Sequence, residues 1–386
     1  MSIKVHSKKR ALIVGGSLGG LFAGAMLQQA GWDVDIFERS PRDLDSRGGG
    51  IVLQPEVVEL IRRSGIEQDW NNLGVRSARR IFYRPDGSVE HALDAPQVQT
   101  SWSRIYSLMR STVDDDRYHK NQVLKDIRFP ESDRVTALFE DGSEQTGDLL
   151  IGADGSGSQV RKLLWDDVPE YAGYIAWRGL VPETDMPELA RTSLHGDFAF
   201  ANNTGSHILG YLVPGENSDL RPGHRLYNWV WYRVVSDLQR EAIMTGSDGI
   251  SRSYSVPEGL LKDSWKAHLR DEAVAFLPPG FRDIVKATRE PFAQAIRDLA
   301  VEKMVKGRTI LLGDAASIPR PHTAASTSKA AANALALADA LSAFPDDTDR
   351  ALAKWEGEQV LRGKYLRAMG TSIGNRLMFG EAAILS

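Results

Sequence analysis

The sequence predicts an α/β fold in which a parallel nucleotide-binding sheet is interleaved with an antiparallel sheet and followed by C-terminal helices. Three observations carry this expectation. The apolar run Ala11-Leu12-Ile13-Val14 passes straight into Gly15-Gly16-Ser17-Leu18-Gly19-Gly20, a helical pattern and then Val34-Asp35-Ile36-Phe37-Glu38, which reads as strand, tight turn, helix, strand and acid. Two distant apolar runs end in similar punctuation, at Gly152-Ala153-Asp154-Gly155 and at Gly313-Asp314-Ala315. From about Tyr171 to Arg289 helical periodicity gives way to strands rich in aromatic and β-branched residues.

The first unit suits a dinucleotide. Gly15 allows the sharp turn, backbone near Ser17 approaches a pyrophosphate at the helix N-terminus opened by Leu18, Gly20 lets helix and sheet pack closely, and Glu38 takes the ribose hydroxyls. Ser17 stands where the G-x-G-x-x-G pattern has its second glycine, and a plain glycine-rich turn would read similarly. Ligands of parallel sheets lie outside the carboxyl ends of the strands, so the three punctuated strands can converge on one extended cofactor.

The remaining elements follow in order. Arg47-Gly48-Gly49-Gly50 enters the short strand Ile51-Val52-Leu53, either as a close approach of backbone to a ligand or as a surface loop. Apolar residues recur at helical spacing from Val57 to Ile66. Asp86-Gly87 turns a hairpin between 80–84 and 88–90, and Asp141-Gly142 turns a second one between 135–139 and 148–151. Residues 206–214 and 226–233 read as strands, the second with Tyr227, Trp229, Trp231 and Arg233 on one face. Such a sheet would roof a pocket for a flat aromatic ring, or its aromatics are core. Prolines stiffen 317–323, a loop that delivers the N-terminus of an Ala-rich helix from about Ala324 to Phe344.

In order and separation, these three motifs resemble the single-component flavoprotein aromatic hydroxylases of the para-hydroxybenzoate hydroxylase type, over nearly the whole chain. Gly15-Gly16-Ser17, the segment Tyr171-Ala172-Gly173-Tyr174-Ile175-Ala176-Trp177-Arg178-Gly179 and the loop Pro319-Arg320-Pro321-His322 are similar to the subgroup acting on hydroxylated pyridines. The resemblance implies a Rossmann-like FAD-binding domain (1–78, 103–170 and 291–386, the last with C-terminal helices) and an interleaved antiparallel β-sheet substrate domain (the hairpin 79–102 and the sheet 171–290). It implies FAD as cofactor, NADH or NADPH as co-substrate, and a C4a-hydroperoxide that passes its distal oxygen from O2 to a hydroxylated aromatic or N-heteroaromatic ring. Carried onto this chain, the cofactor set is Gly15, Ser17, Leu18, Gly20, Glu38, Arg39, Arg47, Gly50, Tyr106, Asp154, Gly313, Asp314, Pro321, Ala324, Ala325 and Ser326. Tyr106 falls where the family places an arginine on the flavin, with Arg104 and Arg110 nearby. Ala324-Ala325-Ser326-Thr327-Ser328 stands where the family has a Gly-x-Asn core, and the helix end there would steady negative charge on the reduced ring. With one glycine-turn unit and no spare segment for another, the nicotinamide is expected to bind transiently over the flavin.

In such chemistry the protein adds a dry pocket and a base. His322, in the loop that the family sets beside the flavin ring, is the candidate base or substrate-orienting residue, or else a structural cap of the following helix. Tyr211 could hydrogen-bond a substrate oxygen. Arg178 could bind an anionic hydroxyheterocycle or serve the cofactor. Trp177, Trp229 and Pro319 complete the expected pocket.

Composition agrees with this reading. The chain has 386 residues, 42% of them hydrophobic, enough for one large domain or two intimate ones. A net charge of -4 without a basic stripe disfavours nucleic acid. The absence of cysteine removes disulfides, thiolate metal sites and thiol catalysis. No paired carboxylates, Ser-His-Asp order or metal-ligand cluster is apparent. No signal-peptide core and no run of roughly 18 to 20 apolar residues is present, so a cytoplasmic protein without a membrane partner is expected, a homodimer being one possible assembly. The competing readings are a urate-like purine or phenolic acid as substrate, and a flavin-binding protein without oxygenase activity.

Overall fold

The computed structural model describes residues 8–44, 49–67, 69, 72–130 and 133–380. A six-stranded sheet runs in the order Val305–Lys306, Thr309–Leu311, Leu149–Gly152, Arg10–Val14, Asp33–Glu38, Tyr118–Lys120. All neighbours are parallel except the outermost pair, Val305–Lys306 with Thr309–Leu311. Val14 pairs with both Gly152 and Phe37, and Gly152 with Leu311, so the glycine turn, Asp154 and Asp314 leave the sheet at one carboxyl edge. The helix Leu18–Gln29 packs on the Ala-rich helix Ser326–Ala343, which also meets Pro55–Arg63. Burial of the sheet strands from both sides matches their continuous apolar runs.

Asp141-Gly142 does turn a hairpin, but the partner of Val135–Phe139 is Glu144–Gly147, in a three-stranded sheet with Leu124–Arg128. Leu149–Gly152 instead joins the parallel sheet. The strand Glu144–Gly147 is polar and half-exposed, so it carries no apolar signal, whereas the buried run beyond it does.

The second large sheet orders Ser255–Val256, Phe292–Ala300, Glu170–Pro182, Leu226–Val234, Ser206–Val213, Phe198–Asn203, Val75–Tyr83, Val89–Ser101 and Gly50–Val52, with Ser317–Ile318 paired to Phe292–Ala300. Only Phe198–Asn203 beside Val75–Tyr83 is parallel. Strand alternation splits its residues between two faces. Trp177, Tyr227, Trp229 and Trp231 share one core with residues of the helices Asp263–Phe276 and Pro279–Ala287. Tyr174, Ala176, Val230 and Tyr232 form a separate cluster with Met378 of the C-terminal helix Thr348–Phe379. That second face looks toward the loop between the Gly-Asp motif and the Ala-rich helix, and it positions the site.

Candidate active site

At the carboxyl edge of the parallel sheet, Gly15 has φ +109°, and a Cβ there would lie 2.5 Å from the carbonyl oxygen of Ala153. A Cβ on Gly20 would strike the carbonyl of Gly15. The turn therefore admits only glycine where backbone must bend and pack. Ser17 is the N-cap of the following helix, but its side chain makes no capping bond, and the Ala-rich helix behind the N-cap Ala325 is likewise without a side-chain cap. Both helix ends thus keep backbone N–H groups available to an anionic cofactor, and the residues present fit a dinucleotide. Leu18 is buried beneath this turn.

Glu38 ends its strand buried, its carboxylate accepting the N–H of Gly16 and of Ser40, each at 2.8 Å. Arg39 beside it is exposed, and Arg47 lies outside the described residues. Gly313, at φ +66°, donates its N–H to Asn333 Oδ1 at 3.1 Å. Asp314 accepts from Ser326 Oγ at 2.9 Å and from the buried Lys329 ammonium at 2.8 Å. Pro321 and Ala324 are exposed at the mouth of this loop, Ala324 in the left-handed region at φ +52°.

Three expectations need correction. Asp154 does stand at a strand end, but its carboxylate caps the helix Gln159–Leu164, accepting Ser158 Oγ at 2.5 Å and the N–H groups of Gln159 and Val160 at 2.6 and 3.1 Å. It shapes the edge rather than reaching across it. Tyr106 is core: its hydroxyl lies 3.3 Å from that of Tyr118, which donates to the Gly16 carbonyl at 2.9 Å, and its ring stacks on Trp102. Arg110 packs over the Tyr118 ring and pairs with Asp115, while Arg104 donates to the Asn72 carbonyl. Trp177 and Trp229 lie on the helix-covered side of the antiparallel sheet, Trp229 donating to Thr288 Oγ1 at 2.8 Å, so neither lines a pocket at the cofactor edge.

The opposite side of that sheet gathers Tyr174 and Arg178 from one strand, Asn228 and Tyr232 from the next, and His207 and Tyr211 from the third, by the registers Ala176↔Tyr232↔His207 and Leu180↔Asn228↔Tyr211. Arg178 Nη1 donates to Gln294 Oε1 at 3.3 Å, and a Cβ on Gly49 would lie 3.1 Å from its Nη2. Gly50 N–H donates to Asn228 Oδ1 at 3.1 Å, and a Cβ on Gly50 would meet the Tyr211 hydroxyl at 2.7 Å. The glycine run thus closes directly over this face. Burial pushes the Tyr211 phenol up to about 12, against the pull of Arg178. His322, from the proline loop, reaches the same face: its ring centre is 4.5 Å from Tyr232 and 5.5 Å from His207, and its Nε2 is 2.9 Å from the Tyr174 hydroxyl. Burial, with His207 and Arg320 near, pulls its imidazole down to about 3, and burial alone takes His207 to about 4. Pro319 is buried in the same loop. Tyr174, His207, Asn228, Tyr232 and Gln294 were not singled out in the sequence. Stepping by two from Tyr211 to His207 and from Arg178 to Tyr174 would have found two of them.

Among the described residues no group of acidic or imidazole side chains could hold a metal, and no helix is long and apolar enough to cross a membrane.

Residues 171–298 match the FAD binding domain-like family. The chain is 33% identical over 373 residues to 2,6-dihydroxypyridine 3-monooxygenase of Paenarthrobacter nicotinovorans, covering 96% of this chain and 92% of that protein. It is 28% identical to 6-hydroxynicotinate 3-monooxygenase of Bordetella bronchiseptica, covering 83% and 79%. The solved structure of 2,6-dihydroxypyridine-3-hydroxylase from Arthrobacter nicotinovorans superposes with a TM-score of 0.91 at 31% identity, covering 97% of this chain and 94% of that one.

Proposed function

This chain belongs to the FAD-dependent aromatic hydroxylases, flavoprotein monooxygenases that consume NAD(P)H, and we propose that its substrate is a hydroxylated N-heteroaromatic ring of the hydroxypyridine class. The observation that carries the substrate reading is the inner face of the antiparallel sheet. Its Asp298 carboxylate is taken up by the Arg320 guanidinium, which leaves Arg178 and two neutral histidines, with Arg178 Nε, Asn228 Nδ2 and His322 Nδ1 all buried without a partner among the described residues. Such a face suits a flat ring that bears oxygens on its edge and is neutral or singly anionic.

FAD, when bound, accepts hydride from NAD(P)H and activates dioxygen. In this reading Gly15, Ser17, Leu18 and Gly20 hold its pyrophosphate, Glu38 with Arg39 its adenosine ribose, and Gly50, Gly313, Asp314, Pro321, Ala324, Ala325 and Ser326 its remainder. Arg178, Tyr211 and His322 touch the substrate. Arg178 neutralises a ring oxyanion, Tyr211 fixes a ring oxygen as a phenol that stays protonated near neutral pH, and the glycine run over the sheet keeps water from the reacting edge. A cytoplasmic location, where NAD(P)H is produced, fits this reading.

The test is a stopped-flow panel of hydroxypyridines, purines and hydroxybenzoates, scored for stimulated flavin reduction and for hydroxylated product. Stimulation by hydroxypyridines alone is expected. A purine or a carboxylated phenol giving the highest kcat/KM replaces the substrate class, and a colourless protein that takes up no FAD removes the reading.

A further inference from the structure

We propose that Lys329 is a positioning residue of the flavin site, whose buried ammonium turns Asp314 toward the cofactor and offsets its charge beside the reduced ring. The proposal rests on the reading above that Asp314 and the end of the Ala-rich helix hold FAD. Lys329 stands near the start of that helix, Ser326–Ala343, with its side chain wholly buried on a stretch whose other buried residues are mostly alanine. A cation there runs against the helix dipole, and a buried ammonium is costly unless paired. An apolar side chain would fill the same space, so packing alone does not call for lysine. Its Nζ is 2.8 Å from Asp314 Oδ1 and also donates to the carbonyl oxygen of Ser317. Ser326 Oγ donates to the same Oδ1 at 2.9 Å. The Asp314 side chain is 37% exposed, and both donors fall on one of its oxygens, which leaves Oδ2 to accept from a cofactor hydroxyl.

The same helix grips the motif a second time, one turn on. Asn333, four residues after Lys329, accepts the Gly313 N–H at Oδ1, at 3.1 Å, and donates from Nδ2 to Gln359 Oε1 at 2.9 Å, which fixes its amide. Gly313 and Asp314 are therefore held from consecutive turns of one helix, by a neutral amide and by a cation. The amide already ties the backbone of the motif to the helix. What the cation adds is charge. Lys329 and Asp314 together are neutral, whereas the acid alone would oppose the negative charge that reduction leaves on a ring at this helix end. A lysine that only clamped the loop to the helix would change stability and leave the potential of the flavin where it is.

The test is a double-mutant cycle between Lys329→Met and Asp314→Asn, read as the affinity of the apoprotein for FAD and as the midpoint potential of bound flavin at saturating FAD. Lys329→Met should raise the Kd for FAD about 10-fold or more, as expected when a charge-assisted contact loses its orientation. In an Asp314→Asn background the same change should move Kd by no more than about 2-fold, since the lysine then has no carboxylate to turn. The potential should shift to more negative values in Lys329→Met, to more positive values in Asp314→Asn, and return near wild type in the double variant. Additive rises in Kd, or a potential that stays put in both single variants, overturn the proposal even where the urea midpoint of the apoprotein falls. If Lys329→Met does not fold, Asp314→Asn alone decides, because an unchanged or more negative potential there overturns the charge offset. A wild type that takes up no FAD overturns the functional reading instead, and one that binds FAD but hydroxylates another class of ring leaves the role of Lys329 standing.

Discussion

Arg161 donates from Nη1 to the carbonyl oxygen of Ala315 at 2.7 Å, tying the loop of the central Asp-Gly motif to that of the late Gly-Asp motif. Its side chain is 1% exposed and also donates to the carbonyls of Ser156 and Asp167, at 2.8 and 3.1 Å. Burial pulls the guanidinium below the ordinary arginine range, and three carbonyl acceptors offset its lost hydration. Two segments more than 150 residues apart therefore move as one unit at the cofactor edge.

Arg161→Lys puts one ammonium where a rigid fork reached three acceptors. Each carbonyl left without a donor costs roughly 1 to 3 kcal/mol. The variant should lose about 2 to 5 kcal/mol of unfolding free energy and retain FAD less well. Urea denaturation of apo and FAD-loaded protein checks both, and unchanged midpoints in the two forms would refute the tie.

Glu38→Ala removes the acceptor for the Gly16 and Ser40 N–H groups and, in the reading above, for the ribose. A charge-assisted bond is worth roughly 1.5 to 3 kcal/mol, so the Kd for FAD should rise by about 10- to 100-fold. Titration of apoprotein, followed by quenching of flavin fluorescence, measures it. Wild-type affinity in the variant would move the ribose elsewhere.

Trp229 tests the corrected side of the sheet. Trp229→Phe keeps an aromatic in the core but loses the bond to Thr288, so stability should fall by about 1 to 3 kcal/mol. KM and product per NAD(P)H should stay at wild-type values in the flavin-replete variant. A raised KM at unchanged stability would return Trp229 to the pocket wall.

The three glycine and acid motifs were legible because turn geometry and close packing demand particular residues at particular spacings, as at Gly15 and Gly20. The face of the antiparallel sheet was not. Period-two alternation says that Tyr227, Trp229 and Trp231 share a side, and nothing local says whether that side meets helices or cofactor. Bulk favoured the tryptophans, while the smaller polar set His207, Asn228 and Gln294 was passed over. Tyr174 and His322 are 148 positions apart, and only the fold brings the phenol oxygen within 2.9 Å of the imidazole.

His207 and His322 also make stability depend on pH, with a sign that follows from their depressed pKa values. In the folded chain they sit near about 4 and about 3, against 6.5 for an ordinary histidine. Below pH 6.5 the unfolded chain takes up protons that the native state refuses, so stability falls as pH falls, and above pH 6.5 these groups contribute no slope. Each histidine gives up to about 1.4 kcal/mol per pH unit, so the pair should cost about 3 to 5 kcal/mol between pH 6.5 and 4.5. Depressed carboxyls such as Glu183, held at about 2 by Arg225 and His195 against its burial, lose their contribution only below about pH 4.5, so the two windows separate. Urea unfolding at pH 7.5, 6.0 and 5.0 should show the acid slope in wild type and about half of it in His207→Asn or His322→Asn. A wild-type stability that is flat from pH 7.5 to 5.0, or variants that keep the full slope, would mean that the two imidazoles are not held neutral by their burial.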